Sequence, residues 1–160
     1  MTKICNRGYG EAQIEKLLKA KKNGMFLLFD VDKFKHINDT YGHSIGDEVL
    51  IQVADALKQT FEQAGVCMRL GGDEFAVYAP EITEQMQAET MIQAFFERIR
   101  NIAIPQMEGD AISVSLGAVL CAPDREHVFE KVYQRADATM YTCKKVIGNS
   151  YDFYTGRNPA

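Results

Sequence analysis

Apolar residues follow helical spacing in some stretches of the chain and form short continuous runs in others. Residues 10–22 carry apolar side chains at helical spacing, and Asn23-Gly24 predicts the end of that helix. Residues 25–32, MFLLFDVD, are a continuous apolar run that ends in acids. This pattern predicts a central strand that is covered on both faces.

The rest of the chain predicts an alternation of helices and strands. Residues 33–46 are polar and punctuated by glycine, which predicts a connection, and Ser44 with Asp47 three residues on predicts the start of the next helix. The remaining predicted elements are helices at 46–62, 83–101 and 126–147, and strands at 66–70, 74–79, 112–120 and, as an edge strand, SYDFY. Met86 is predicted to face the core from its helix, and Val128 is predicted to lie on the apolar side of the last helix.

The strands on either side of Gly71-Gly72 predict a hairpin, so the sheet must be partly antiparallel. The order of elements predicts an α+β fold with a ferredoxin-like βαββαβ core, in which helices pack on a central, partly antiparallel sheet. Such a core places the hairpin beside the first strand.

Length, charge and cysteine content narrow the class of protein. A chain of 160 residues is a usual size for one core, and we expect residues 1–160 to form a single domain. The net charge of -4 argues against non-specific binding to nucleic acid and against contact with an acidic membrane. The dispersed cysteines include no CxxC pair, which favours reduced thiols in a cytoplasmic protein over a zinc or redox site. No apolar run is long enough to span a membrane.

Carboxylates stand where two predicted strands meet turns. Asp30 and Asp32 close the first strand, and Asp73 and Glu74 follow the glycines of the hairpin. Ionised carboxylates against a buried sheet repel one another, so either a proton or a metal ion must compensate for their charge. A site whose ligands are all oxygens would suit Mg²⁺ or Mn²⁺.

The same residues also have simpler interpretations. A Gly-Gly turn with nearby acids is, by itself, more often a solvated turn than a binding site. The stretch DVDKFKHINDTYGH invites comparison with a calcium-binding loop, but Lys35 and Tyr41 stand where that loop has Gly and Glu. The phosphate-binding patterns GxxxxGK[ST] and GxGxxG are absent from the sequence.

Residues 71–75 spell GGDEF, and residues 29–50 read FDVDKFKHINDTYGHSIGDEVL. In this order and spacing they closely resemble the GGDEF family of diguanylate cyclases, whose upstream motif is D-[IV]-D-x-F-K-x-I-N-D-x-x-G-H-x-x-G-D. MTKICNR resembles the end of the family's opening D-x-L-T-x-x-x-N-R, and ISVSLG resembles its later T-V-S-I-G strand. Because the resemblance begins inside the opening motif, we expect a domain excised from a longer signalling protein with an attached sensor.

The resemblance implies a reaction and a partner. Two GTP molecules would condense to cyclic di-GMP with loss of two pyrophosphates, each 3′-hydroxyl attacking the α-phosphate of the other GTP. Each domain would hold one GTP, so a homodimer of facing domains would be needed. The implied cofactor is Mg²⁺ or Mn²⁺, with two ions per GTP, and the implied core is similar to that of class III nucleotide cyclases.

The resemblance also implies roles for residues at the matching positions. Asp30, Asp73 and the carbonyl of Val31 would hold the metal, and Lys35 would stabilise charge on the phosphates. Asp73 fills the position assigned as proton acceptor for the 3′-hydroxyl, but a metal-bound carboxylate is a weak base at neutral pH, which favours its metal role. Asp32 would hold the loop rather than the metal.

Residues of the longer motif would recognise the base. Asn38 and Asp47 would read guanine, because a carboxylate accepts hydrogen bonds from the N1–H and 2-amino groups that adenine cannot match. His43 would lie near the substrate or, equally, make a hydrogen bond at the start of a helix. Asp39 is interpreted as a turn cap, and Arg69 as the partner of a nearby acid.

Residues near the triphosphate include one departure from the family pattern. Gly71-Gly72 would let the backbone approach the nucleotide, and Glu74 would support the metal or the ribose. Lys144 matches the lysine of the family's Y-x-A-K-x-x-G-R-N, but Gly148 stands in place of the arginine. Lys145 would compensate only as a point charge, so GTP affinity or turnover is expected to suffer.

A second departure lies upstream of GGDEF. The family's inhibitory R-x-x-D is replaced by EQAG, with Glu62 and Gly65 at the matching places, so feedback by product at that site is expected to be lost. Three hypotheses stay open: an active cyclase, a degenerate module that binds GTP or a partner without catalysis, and a dimerisation domain without nucleotide. The third leaves the acids unexplained.

Overall fold

A five-stranded sheet forms the centre of the protein, a computed structural model of which describes residues 4–122 and 127–156. The strands are β1 (Gly24–Val31), β2 (Val66–Gly71), β3 (Glu74–Ala79), β4 (Val114–Cys121) and β5 (Ser150–Phe153). Their spatial order is β2-β3-β1-β4-β5, and neighbouring strands are antiparallel except for β4 and β5. The first four strands have the order of a ferredoxin-like core, so the predicted fold is confirmed and the hairpin does lie beside β1.

Helices cover both faces of this sheet. They are α1 (Arg7–Lys19), α2 (Phe34–Tyr41), α3 (His43–Phe61), α4 (Gln85–Arg100) and α5 (Phe129–Cys143). Alternate residues of β1 point to opposite layers: Phe26 and Leu28 pack with α1 and α5, whereas Leu27 and Phe29 pack with α3 and α4. Every residue of β1 is therefore buried, as predicted for a central strand covered on both faces.

Packing between aromatic rings holds the C-terminal end of β1, where Asp30 lies, in position. The ring of Phe29 stacks on Phe75 of β3 at 5.3 Å between centroids and contacts Phe95 of α4 at 4.9 Å. All three rings are fully buried. The backbone that carries the next residue, Asp30, is thus held by the core.

Residues 33–46 differ from the predicted connection because they contain helix α2. Its Ile37 is buried and its Phe34 packs against the core, so tertiary contacts stabilise eight residues that are marginal as an isolated helix. Asp39 lies exposed within α2, and its interpretation as a turn cap is wrong. Helix α3 begins at His43 without a side-chain cap, so Ser44 does not start it as predicted.

Several predicted helix limits were also wrong. Helix α1 ends at Lys19 rather than at Asn23-Gly24, and α5 ends at Cys143. Met86 is 79% exposed in the first turn of α4, and Val128 is 54% exposed just before α5, so neither faces the core. The predicted helix start at 126 and residues 1–3 of the opening motif lie outside the described residues. Among the helices of the described ranges, none combines the length and apolar character needed to cross a membrane.

Candidate active site

The hairpin turn carries one acid cluster to the end of the strand that carries the other. Asp30 pairs with Glu74 in the register of β1 and β3, and the backbone N–H of Val31 donates to the carbonyl of Asp73 at 3.3 Å. Asp30 and Asp73 both line one cavity. The meeting of the two clusters, which the sequence made plausible, is therefore present in the fold.

Glycine and arginine shape the turn itself. Gly72 has a φ of +51°, a left-handed conformation that favours glycine, and the strand register shifts between Arg69 and Gly71. The guanidinium of Arg69 donates to the carbonyl of Gly72 at 2.9 and 2.6 Å. Arg69 thus braces the turn and makes no ion pair with an acid of the described residues, although its positive charge opposes the rise that burial causes in the pKa of the nearby Asp73. A Cβ added at Gly71 or Gly72 would meet no atom within 4 Å, so open space lies beside both residues.

Asp30 is a buried carboxylate whose two oxygens have different surroundings. It is 8% exposed, and its Oδ2 lies 2.6 Å from the ammonium of Lys144. Its Oδ1 is buried and has no hydrogen-bond partner among the described residues. Burial raises the pKa of Asp30 to about 6; Lys144 opposes this, and the charges of Asp73 and Asp32 add to it. Burial also raises the pKa of Asp73.

Asp32 is held by two hydroxyl groups of the neighbouring strand region. Ser113 donates to its Oδ2 and Ser115 donates to its Oδ1, each at 2.6 Å. Its backbone N–H donates to the carbonyl of Ser113 at 2.9 Å. This geometry agrees with the interpretation of Asp32 as a residue that holds the loop. The serines were not identified from the sequence, although their alternation in ISVSLG is a signal that they face the same side.

The cavity has a volume of about 870 Å³ and is lined by both acids and cationic side chains. Lys35, Lys144 and Lys145 line it together with Asp30 and Asp73. Tyr41 and Asp110 also line it, and the hydroxyl of Tyr41 donates to the carboxylate of Asp110, which fastens the end of α2 to the connection between α4 and β4. A cavity of this size, lined by acids and lysines, suits a metal-bound polyphosphate.

Six other predicted site residues do not line the cavity. These residues are Asn38, His43, Asp47, Gly71, Gly72 and Glu74. Asn38 in α2 contacts Gly46 of α3, which precedes Asp47, so the two residues predicted to read guanine lie at one helix elbow. His43 and Asp47 are exposed there.

Tyr133 of α5 is a site neighbour that sequence reasoning missed. Its hydroxyl donates to Oε1 of Glu74 at 2.6 Å, and the ring stacks on Phe129. Lys144, which pairs with Asp30, directly follows the last residue of α5, so this helix positions the partners of both Glu74 and Asp30. A tyrosine in an apolar helical stripe gives no sequence signal for such a long-range contact.

The two departures from the family pattern have structural counterparts. Gly148 lines the cavity with a φ of +88° and offers no side chain to a ligand. At Gly65 a Cβ would lie 1.9 Å from the carbonyl oxygen of Tyr78, so the backbone occupies the space that an aspartate would need. The second departure therefore changes the packing as well as the residue.

A divalent ion fits the acids that the cavity contains. No group of three His, Cys, Asp or Glu residues suited to a metal occurs within residues 4–122 and 127–156. Mg²⁺, however, usually takes one or two carboxylates and completes its shell with water and substrate phosphates. Asp30, through its unpartnered buried Oδ1, and Asp73 match that requirement.

The pKa of Asp30 predicts how the stability of the metal-free protein depends on pH. The folded-state pKa near 6 exceeds the unfolded value, so the stabilising effect of the proton is complete below about pH 4. This effect is lost as the pH rises through about 6. Asp30→Asn cannot ionise, so its unfolding free energy should gain about 1–3 kcal/mol relative to wild type between pH 4 and pH 7.

Denaturant titrations of both proteins at several pH values test this expectation. The exposed Asp39→Asn serves as the control and should follow wild type at every pH. A difference between Asp30→Asn and wild type that is the same at pH 4 and pH 7 would contradict the expectation.

Tyr133→Phe is expected to lower the free energy of unfolding by about 1 kcal/mol, because the partly buried Glu74 loses a hydrogen-bond donor while the ring volume is kept. Tyr141→Phe in the same helix, where the side chain is 67% exposed, should have little effect. Chemical denaturation measures both changes. Equal effects of the two substitutions would show that the contact with Glu74 contributes nothing.

Comparison with known proteins shows which family the chain resembles in sequence. Residues 1–150 match the family model described as diguanylate cyclase, GGDEF domain. Diguanylate cyclase DosC of Escherichia coli is 34% identical over 157 residues, which span 91% of this chain and 32% of that protein. Probable diguanylate cyclase DgcC of Escherichia coli is 30% identical over 93% of this chain and 41% of its own length. The chain thus spans less than half the length of these relatives.

Solved structures of similar fold include ligand-bound domains. The GGDEF domain of PA1120 from Pseudomonas aeruginosa superposes with a TM-score of 0.84 at 26% identity, covering 96% of this chain and 98% of that one. The GGDEF domain of DgcB from Caulobacter crescentus, solved in complex with c-di-GMP, gives a TM-score of 0.80 at 25% identity over 96% of this chain and 90% of that one.

Proposed function

The chain belongs to the GGDEF domain family of diguanylate cyclases, and we propose that it condenses two GTP molecules into cyclic di-GMP and two pyrophosphates. One observation carries the proposal: Asp30 and Asp73 line one cavity of about 870 Å³ together with three lysines of the sequence motifs, Lys35, Lys144 and Lys145. Each domain would bind one GTP, so two copies would face each other. A reaction that consumes GTP would take place in the cytoplasm.

Asp30, Asp73 and the backbone carbonyl of Val31 would hold Mg²⁺ or Mn²⁺, with two ions per GTP. The ion would neutralise the triphosphate and polarise the attacked phosphorus. Asp30 offers its unpartnered Oδ1 for this purpose. Asp32 stays with its two serines, which keeps a third carboxylate from competing for the same position.

Lysine side chains would bind the phosphates around this centre. Lys144 would move from Asp30 to a phosphate oxygen when the metal-bound triphosphate arrives, because the metal then supplies the positive charge that Asp30 needs. Lys35 lines the same cavity as the acids and would stabilise charge on the phosphates. Lys145 would add a point charge near Gly148, where the family arginine is missing.

The helix elbow would read the base. The carboxylate of Asp47 would accept from the N1–H and 2-amino groups of guanine, and the amide of Asn38 would supply further polar contacts. The open space beside Gly71-Gly72 would let the nucleotide approach the backbone. Glu74, held in place by the hydrogen bond that it accepts from Tyr133, would contact the ribose or the metal.

A second candidate function is GTP binding without turnover. Gly148 favours it, because this residue lines the cavity without the side chain that would grip the terminal phosphates. Affinity for the triphosphate would then come from Lys35, Lys144 and Lys145 together with the metal. The two functions differ in whether product forms.

Incubation of concentrated protein with GTP and Mg²⁺, followed by chromatography with mass detection, tests the proposal. Cyclic di-GMP from GTP, with a rate that rises more than proportionally with protein concentration, supports a cyclase of facing domains. GTP binding by calorimetry without product at any concentration supports the binding module. Absence of both product and GTP binding would overturn the assignment of this cavity to a nucleotide.

A further inference from the structure

Gly46 is a glycine within a helix, where glycine is the least favourable residue after proline. It is the fourth residue of α3, and its backbone N–H bonds normally to the carbonyl of Gly42. Its dihedral angles lie outside the left-handed region that favours glycine. The helix backbone therefore gives no reason for glycine here, and the reason must lie in what contacts it.

The contact is with a side chain of α2. A Cβ added at Gly46 would lie 1.8 Å from Oδ1 and 2.9 Å from Cγ of Asn38, and 3.4 Å from Cζ of Phe34. Phe34 and Asn38 are four residues apart on α2 and so lie on the same face of that helix. The absent side chain of Gly46 leaves a notch that the Asn38 amide fills.

We infer that Gly46 is a specificity-positioning residue, which holds the amide of Asn38 beside Asp47 so that the two together recognise a guanine base. This inference rests on the proposed function, because only a bound guanine nucleotide gives the amide position a purpose. Asp47 directly follows Gly46, so one turn of α3 carries both the notch and the carboxylate. The amide offers N–H donors and a carbonyl acceptor, which complement the acceptor-only carboxylate.

The nature of the obstacle determines what a substitution will do. In Gly46→Ala the three atoms nearest to the new methyl group belong to the side chains of Asn38 and Phe34, so the Asn38 amide can rotate away without a shift of the backbone. Alanine also favours the helix more than glycine does. The variant should therefore keep or gain thermal stability while it loses guanine recognition, and a merely structural role would not produce that combination.

Binding of 3′-deoxy-GTP and 3′-deoxy-ATP with Mg²⁺ tests the inference by calorimetry, since both nucleotides lack the hydroxyl that would attack. We expect Gly46→Ala to weaken 3′-deoxy-GTP about tenfold and to leave 3′-deoxy-ATP unchanged. Gly8→Ala is the matched control: Gly8 also lies in a helix, and its nearest atom to an added Cβ is Oδ1 of Asn6 at an ordinary 3.7 Å. The control should bind both nucleotides as wild type does.

The double variant of Gly46→Ala with Asn38→Ala separates the inference from its premise. If Gly46 acts through Asn38, the double variant should bind 3′-deoxy-GTP no more weakly than Asn38→Ala alone. Additive losses, an equal loss for both nucleotides, or normal binding by Gly46→Ala while Asn38→Ala is weakened would each overturn the inference. A wild type that does not prefer the guanine nucleotide would overturn the proposed function itself.

Discussion

Asp73→Ala is expected to lower the rate of cyclic di-GMP formation by about a thousandfold or more, because the metal would lose one of its two carboxylates. Asp73 lines the same cavity as Asp30, and burial raises its pKa, as expected of an acid poised for a positive partner. Chromatographic detection of product, with protein and Mg²⁺ in excess, measures the loss. The fold should be kept, since Asp73 lies in a turn and not in the core.

Asp39→Ala provides the matched control for this experiment, because Asp39 is an exposed carboxylate on α2 that does not line the cavity. It should retain the wild-type rate. If Asp73→Ala kept more than about a tenth of the wild-type rate, a gap far smaller than the loss of a metal ligand implies, the catalytic centre would lie elsewhere.

Gly117→Ala is expected to lower the free energy of unfolding by about 1–3 kcal/mol, the usual cost of overpacking. A Cβ there would lie 2.1 Å from the carbonyl oxygen of Ala136 and 2.7 Å from the backbone nitrogen of Met140. Both obstacles are backbone atoms of α5, so no side chain can rotate away and the whole helix must move from β4. The thermal midpoint should fall by about 2–4 °C per kcal/mol at this chain length.

Gly46→Ala serves as a comparison for Gly117→Ala, because it adds the same methyl group against a different kind of obstacle. The two substitutions are chemically identical, but the obstacle is helix backbone at Gly117 and a side chain at Gly46. Displacement of α5 should also weaken GTP binding, because Lys144 follows its last turn. An unchanged midpoint for Gly117→Ala would show that α5 is not held at the distance described.

The elements that the sequence predicted well have strong local patterns. The continuous apolar run of β1 and the glycine-punctuated hairpin identified the central strands, and their adjacency follows from the order of elements. Helix α2 was missed because its polar, turn-favouring residues make a helix only when Phe34 and Ile37 pack on the core. Met86 and Val128 were misplaced because a helical stripe does not indicate where the helix begins.

The candidate site was predictable to the extent that its residues lie in linear motifs. Asp30, Lys35, Asp73 and Lys144 do line one cavity, although their chemical roles stay predictions. Contacts between distant parts of the chain were not predictable: the serines on Asp32 lie more than 80 residues away, and Tyr133 lies 59 residues from Glu74. The local sequence does not show which of two nearby carboxylates will accept a hydrogen bond from a hydroxyl group that is distant in the chain.

Under the proposed function, the ion pair between Lys144 and Asp30 would couple the binding of metal and nucleotide. A divalent ion on the unpartnered Oδ1 of Asp30 would lie close to the Lys144 ammonium, which is 2.6 Å from Oδ2, and the two positive charges would repel each other. A triphosphate that binds with the ion would offer phosphate oxygens to the lysine and so relieve this repulsion. Thermodynamic linkage then requires each ligand to strengthen the binding of the other by the same factor. The protein would thus bind metal and nucleotide cooperatively, and Lys144 would neutralise Asp30 until both ligands are present.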